Sequence, residues 1–176
     1  MTVLLYNASA RKHGNTATLG ERLLRGIPHT TIHLMDHQLN FVQDNRDTER
    51  PQADTTDDYA ALMAQMRSAD DIVLATPVYW YDMAAPLKVF MDRWFDSYTN
   101  DFPFQGKRVY LLVVGADQPE VKATGITNAV RYSCEWLQMN FRGVAAVTAD
   151  GPNDVAAMTT LPASFVALRL NLEKIV

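Results

Sequence analysis

Val3-Leu4-Leu5-Tyr6, running into Asn7-Ala8-Ser9-Ala10-Arg11-Lys12-His13-Gly14-Asn15-Thr16, is the stretch that decides the fold. Four consecutive apolar residues without polar alternation are the pattern of a strand covered on both faces. The polar turn stops it, and Leu19, Leu23 and Ile27 then recur at helical spacing, which predicts a helix over 15–27. Thr18-Leu19-Gly20-Glu21 has capping-box spacing near its start, and Gly26 and Pro28 close it. A buried strand turning directly into a helix is the opening unit of an α/β sheet protein.

The same alternation continues to the end of the chain. Thr31-Ile32-His33-Leu34 reads as a second strand, and residues 57–69 as a helix with Tyr59, Leu62, Met63 and Met66 on one stripe. Ile72-Val73-Leu74-Ala75 is a strand that Pro77 ends, and a helix follows over 86–98, with Pro86 in its first turn where a missing N–H costs nothing. Val109 to Val114 is the fourth strand. A helix over 123–141 ends before Gly143, Val144-Ala145-Ala146-Val147 is the fifth strand, and a helix over 161–173 is the last. Alternating strands and helices, with strands apolar on both faces, imply a parallel sheet between two helical layers. Right-handed crossovers leave the doubly wound order 2-1-3-4-5 as the expected arrangement. Ligands of such sheets sit beyond the carboxyl ends of the strands at the topological switch point. That rule points to the turns after Tyr6 and Thr76, with the turn after Val114 beside them.

Composition bounds the function. The chain has 176 residues, 48% of them hydrophobic, which is too apolar for disorder and long enough to fold without disulfides or a metal. Its formal net charge of −4 lacks the basic excess of a nucleic-acid binder. One cysteine, Cys134, can form neither an internal disulfide nor a multi-cysteine metal site; it falls on the stripe Ile126, Val130, Cys134, Leu137 and Phe141 and reads as a buried small hydrophobe. No apolar run is long enough to span a membrane, and the start lacks the basic segment of a signal peptide. A cytoplasmic protein with no nucleic-acid or membrane partner is the expectation. His33 and His37 stand four apart with no third ligand nearby, so no metal site is expected. Residues 36–56 show no sustained period, and so long a loop is either solvated or a lid near the ligand site.

An anionic ligand on an acidic protein needs a local positive site. The turn Ser9 to Thr16 contains no acid, two cations in Arg11 and Lys12, the short polar side chains of Ser9, Asn15 and Thr16, and Gly14 for close backbone approach. A helix start adds unpaired N–H groups and the positive end of its dipole. The combination is either a phosphate cradle or an ordinary capped helix with solvated cations. It is neither a G-x-G-x-x-G nor a G-x-x-x-x-G-K-[ST] loop. The second unusual segment is Thr76-Pro77-Val78-Tyr79-Trp80-Tyr81-Asp82-Met83, three consecutive aromatics in a turn bounded by Pro77 and Pro86. Turns run over the surface and are usually polar, so these aromatics form a core plug, a subunit surface or a wall for a flat ligand.

The two segments together resemble the NADPH-dependent FMN reductase-like, flavodoxin-fold flavoproteins. Ser9-Ala10-Arg11-Lys12-His13-Gly14-Asn15-Thr16 is similar to their S-x-R-x-x-G-N-T loop. Pro77-Val78-Tyr79-Trp80, with Pro86-Leu87-Lys88-Val89-Phe90-Met91-Asp92-Arg93 after it, is similar to their P-V-Y-(W/F)…P-L-K-x-F-I-D-R segment. The resemblance implies a flavodoxin-like three-layer sandwich in which residues 1–176 form a single FMN-binding domain. Ser9, Arg11, Asn15 and Thr16 would hold the FMN phosphate. Pro77, Val78, Tyr79, Trp80 and Tyr81 would line the isoalloxazine ring, with Gly115, Ala116 and Asp117 forming another part of that pocket. It further implies an enzyme that uses NAD(P)H to reduce a flavin, quinone or similar small-molecule acceptor by two-electron transfer through FMN, with no catalytic side chain. A flavodoxin-like one-electron carrier is the alternative, although its T/S-x-T-G-x-T loop is absent here. A scaffold that has lost its cofactor is a third. The absence of Cys from residues 36–56 excludes the iron–sulfur members of the family, and Tyr81 stands where relatives often carry Gly. Relatives are commonly homodimers. The wide aromatic stripe Leu87, Phe90, Met91, Trp94, Phe95, Tyr98 is either core or a subunit interface. Arg93 is expected to pair with Asp92 on the helix surface.

Overall fold

In the computed structural model residues 2–43 and 56–174 are described. The five-residue β1 (Val3–Asn7) and β2 (His29–His33) and the longer β3 (Asp71–Tyr79), β5 (Arg108–Gly115) and β6 (Asn140–Thr148) are all parallel. They lie in the order β2-β1-β3-β5-β6. This is close to the expected 2-1-3-4-5 and departs from it in one place. A two-residue strand, β4 (Asp82–Met83), folds back antiparallel on β3 and stands off the main path.

Alternate residues of each strand serve opposite cores, which is why the strands read as unbroken apolar runs. Val3 and Leu5 pack with Leu19 and Leu23 of α1 (Asn15–Leu23) and Leu168 of α8 (Ala163–Glu173). Leu4 and Tyr6 face the other way, toward Leu62 and Met66 of α2 (Tyr59–Ser68) and Phe90 of α3 (Ala85–Asp92). The Tyr6 hydroxyl donates to the Leu62 carbonyl at 2.7 Å, so a buried phenol is satisfied within the core.

Four sequence expectations change. The helix over 15–27 is shorter and begins on Gly14, with no side-chain cap, so the Thr18–Glu21 spacing lies inside the helix and caps nothing. Pro77 does not end β3, which continues to Tyr79 and pairs Pro77 with Val114. The β1 partner stops at Ala75, so Pro77 sits where one side of the strand is free, a place that tolerates a missing N–H. The helix over 123–141 ends early. α6 (Thr124–Trp136) closes where Met139 N–H donates to the Cys134 carbonyl and Gln138 N–H to Glu135, with Gln138 at φ 57°. This is a Schellman motif built without glycine. Gly143 belongs instead to β6, at φ 128°, where Phe141 and Gly143 pair with consecutive β5 residues and Arg142 bulges out.

The fourth change concerns the helix over 86–98, which breaks at Arg93 into α3 and α4 (Trp94–Tyr98). Arg93 is buried and does not pair with Asp92, whose partner is Lys88. Its guanidinium forms ion pairs with Asp57 and Asp96 and lies 4.2 Å over the Tyr59 ring. Its carbonyl accepts a hydrogen bond from the Tyr59 hydroxyl. The same carbonyl accepts the Asp96 N–H at 3.0 Å, a tight i→i+3 bond that opens α4. Among the described residues two one-turn α-helices lie outside the expected set, α5 (Pro119–Lys122) and α7 (Asp154–Ala157). Of the 36–56 loop, residues 44–55 lie outside the described residues, so the choice between solvated loop and lid does too. Its two ends meet: Asn40 N–H donates to Asp57 Oδ2 at 2.7 Å and Gln38 N–H to Asp58 Oδ2 at 2.8 Å.

Candidate FMN site

β1, β3 and β5 are neighbours, and their carboxyl ends bring the Ser9–Thr16 loop, the aromatic segment and Gly115 to one edge of the sheet. Between β1 and β3 the sheet reverses its winding, so this edge is the topological switch point.

The first loop is set by Asn7 and Ser9, both buried. Asn7 Oδ1 accepts the Ser9 N–H at 2.9 Å, and Ser9 Oγ accepts the Arg11 N–H at 3.1 Å. The Ser9 hydroxyl proton remains available to a ligand. Asn7 was not among the sequence candidates; a polar residue ending a buried strand was the available signal. No side chain caps α1, so the first-turn N–H groups of Asn15, Thr16 and Ala17 point out of the helix start. Thr16 is buried there. These groups fit a phosphate. Two of the expected polar groups behave otherwise. Asn15 turns away: its Nδ2 donates to the Gly151 carbonyl at 2.9 Å and its Oδ1 accepts the Val155 N–H at 3.1 Å. Lys12 pairs with Asp36 at 2.6 Å, which holds the Asp36 carboxyl below its ordinary value. The acid-free stretch of sequence therefore acquires an acid in space. Arg11 is exposed and forms no ion pair with any described residue.

The second segment is a hairpin. Tyr79 pairs with Asp82, leaving Trp80 and Tyr81 as a two-residue turn. Thr76 Oγ1 fixes its base by accepting the Ala84 N–H at 2.9 Å. Tyr79, Trp80 and Tyr81 are all exposed, Trp80 at 96%, so the core-plug reading fails. A cavity of about 220 Å³ opens beside the turn, bounded by Val78, Trp80, Tyr81, Gly115, Asp117 and Pro119. Gly115 is the necessary floor, because a Cβ there would lie 2.9 Å from Val78 Cγ2 and 3.3 Å from Pro119 Cβ. Of the ring-lining candidates, Val78, Trp80, Tyr81 and Gly115 thus come together. Pro77 and Tyr79 are strand residues that do not line this cavity. Asp117, expected as part of the ring pocket, lines the cavity and also anchors the turn, accepting from the Tyr81 hydroxyl at 3.2 Å and from Lys122 Nζ at 2.6 Å. The Lys122 contact, with a smaller contribution from Tyr81, lowers the Asp117 pKa.

An α/β sheet with an open helix start and an apolar cleft at its switch point defines a nucleotide- or flavin-binding class of protein. Residues 1–151 match the family model NADPH-dependent FMN reductase, and the chain belongs to that family. In class it is an FMN- and NAD(P)H-dependent oxidoreductase. It is 27% identical over 161 residues to YwqN of Bacillus subtilis, assigned as an NAD(P)H-dependent FMN-containing oxidoreductase, covering 88% of this chain and 89% of that protein. It is 34% identical over 99 residues to an iron-sulfur flavoprotein of Methanocaldococcus jannaschii, covering 53% of this chain and 51% of that one. In fold it resembles the Trp repressor binding protein of Bacillus subtilis, with a TM-score of 0.75, 22% identity and 95% of each chain covered. It also resembles an FMN-dependent NADH-azoreductase of Bacillus anthracis solved in complex with FMN, with a TM-score of 0.65, 13% identity and 99% of each chain covered. This chain's one cysteine, Cys134, is buried in α6, and burial pushes its thiol up to about 12. Among the described residues no cluster of His, Cys, Asp or Glu could hold a metal, and no helix is long and apolar enough to cross a membrane.

Proposed function

We propose that the chain binds FMN with its phosphate on the α1 start and its ring toward the hairpin cavity, and that it passes two electrons from NAD(P)H to a small acceptor such as a quinone, flavin, azo or nitro compound. The observation that carries this reading is the uncapped start of α1, with the Ser9 hydroxyl, Thr16 and Arg11 around it, at the strand ends that also frame the cavity beside Gly115. FMN, when bound, supplies hydride acceptance and electron transfer. The protein's part is to hold and orient. The N–H groups of Asn15, Thr16 and Ala17, with Ser9, Thr16 and Arg11, take the phosphate. Val78, Trp80, Tyr81 and Gly115 bound the ring, while Pro77 and Tyr79 shape the strand that carries them. Asn15 acts through its backbone N–H, and its side chain holds the loop in place. No side chain is assigned a proton-transfer step. We read residues 1–176 as one FMN-binding unit working in the cytoplasm, where NAD(P)H is supplied and a lone thiol stays reduced.

Titrating Arg11→Ala with FMN and with riboflavin tests the placement. FMN affinity should fall about tenfold, the worth of one charge-assisted contact, while riboflavin, lacking the phosphate, binds wild type and variant alike. Under nitrogen, NAD(P)H should bleach the bound flavin. A protein that binds no FMN, or whose flavin stays yellow with both nucleotides, refutes the reading.

We also propose a homodimer. Phe95, Tyr98 and Trp136 form an exposed aromatic cluster, with Tyr98 and Trp136 ring centroids 4.5 Å apart. A groove of about 440 Å³ between α4 and α6 adjoins it. Apolar surface of this kind marks an association site. Sedimentation should give a dimer for wild type and a monomer for Trp136→Glu; a wild-type monomer at micromolar concentration rejects the dimer.

A further inference from the structure

The turn that closes the hairpin is one its residues disfavour. Trp80 and Tyr81 have φ of 51° and 66°. A two-residue turn with both central residues in this region is ordinarily Asn-Gly, and a bulky side chain there is an outlier. The tip makes one polar contact that offsets this, from the Tyr81 hydroxyl to Asp117 Oδ2 at 3.2 Å. Asp117 is itself fixed, since Lys122 Nζ bonds both its carboxylate oxygens, at 2.6 and 2.7 Å. The chain Lys122–Asp117–Tyr81 therefore ties the tip of the hairpin to the segment after the neighbouring strand β5. The cavity between them has two unlike walls. Val78, Gly115 and Pro119 are packed so closely that a single added carbon would not fit. The opposite wall, Trp80 and Tyr81, is exposed, strained and held by one hydrogen bond.

Strain that persists at a ligand cleft points to a positioning role. We propose that Tyr81 is a positioning residue that sets the clearance over the ring pocket. Latched to Asp117, it holds the Trp80–Tyr81 turn against the cavity and favours slim planar acceptors over bulky ones. Released, the turn relaxes outward and the preference weakens. The inference rests on the FMN reading above and deepens it, because it names the residue that discriminates among acceptors.

The test compares wild type with Tyr81→Phe, which removes only the hydroxyl, and with Asp117→Ala, which removes its acceptor. Two readouts are taken. Hydrogen exchange of residues 78–83 is measured on the protein without flavin. The ratio of kcat/KM for a two-ring azo dye to that for p-benzoquinone is measured at saturating FMN. Both variants should exchange faster at 78–83 with the rest of β3 unchanged, and both should raise the azo-to-quinone ratio about fivefold, the scale of one lost hydrogen bond. FMN bound normally, with exchange and ratio both as in wild type, overturns this inference alone. A ratio shift without faster exchange overturns the latch as its cause. A wild type that binds no FMN overturns the functional reading and the acceptor selection built on it.

Discussion

The loop after β1 and the hairpin after β3 lie side by side at one sheet edge and are built on opposite principles. The loop is made of buried polar groups, Asn7, Ser9, Asn15 and Thr16, each packed against the body of the protein. The hairpin is made of exposed aromatics in a backbone conformation they disfavour, tied down at its tip through one phenol. A phosphate has one shape and one charge, so its site can be rigid. Under the function proposed above the cleft takes a nicotinamide and then a different molecule, and it gains from a wall that yields.

Three substitutions probe this contrast. The largest effect is expected at a reference point away from both. Arg93→Met leaves the fully buried Asp57 carboxylate without its main partner and should cost about 3–5 kcal/mol of stability, read by urea unfolding. Its flavin affinity per folded molecule should stay as in wild type; a loss there would mean the site depends on the α3–α4 break. Asn15→Ala comes next. It removes two side-chain hydrogen bonds that staple α1 to the β6–α7 segment, takes the Asn15 partner from the Val155 N–H, and leaves the Gly151 carbonyl with only the long 3.5 Å contact from the Asp154 N–H. Stability should fall by about 2–3 kcal/mol and FMN binding should weaken with it. Unchanged stability would show that the loop is not anchored as described. Tyr81→Gly is the smallest and opposite in sign. Glycine takes φ 66° freely, so the variant should be stabilised by up to about 1 kcal/mol, net of the lost phenol contact, seen as a slightly higher Tm. A clear destabilisation would mean that the turn is not strained.

The same contrast explains what the sequence made legible. Val3–Tyr6 and the helix after it could be read because apolar continuity and helical spacing are local signals. The loop after β1 was legible as far as its residue types, but the roles within it were not. Asn15 is consumed by Gly151 and Val155, more than 130 positions away, and Lys12 by Asp36 in the turn that follows β2. The hairpin was misread at Pro77 because proline is a strand terminator only where both sides of the strand are paired. Arg93 looked like a surface residue because nothing near it in sequence announces Asp57. The C-terminus of α6 was missed for a related reason: Gln138 adopts the conformation that sequence rules reserve for glycine.

The Lys12–Asp36 pair has one more consequence, for how binding should respond to ionic strength. With Lys12 already neutralised, a phosphate arriving at α1 meets one mobile cation, Arg11, and a set of fixed backbone dipoles. Dissolved ions screen attraction between exposed charges over about 8–10 Å at ordinary salt, but they barely touch hydrogen bonds made at contact. A site of this design should hold its cofactor almost as well in concentrated buffer as in dilute, with a shallow dependence of affinity on salt set by Arg11 alone.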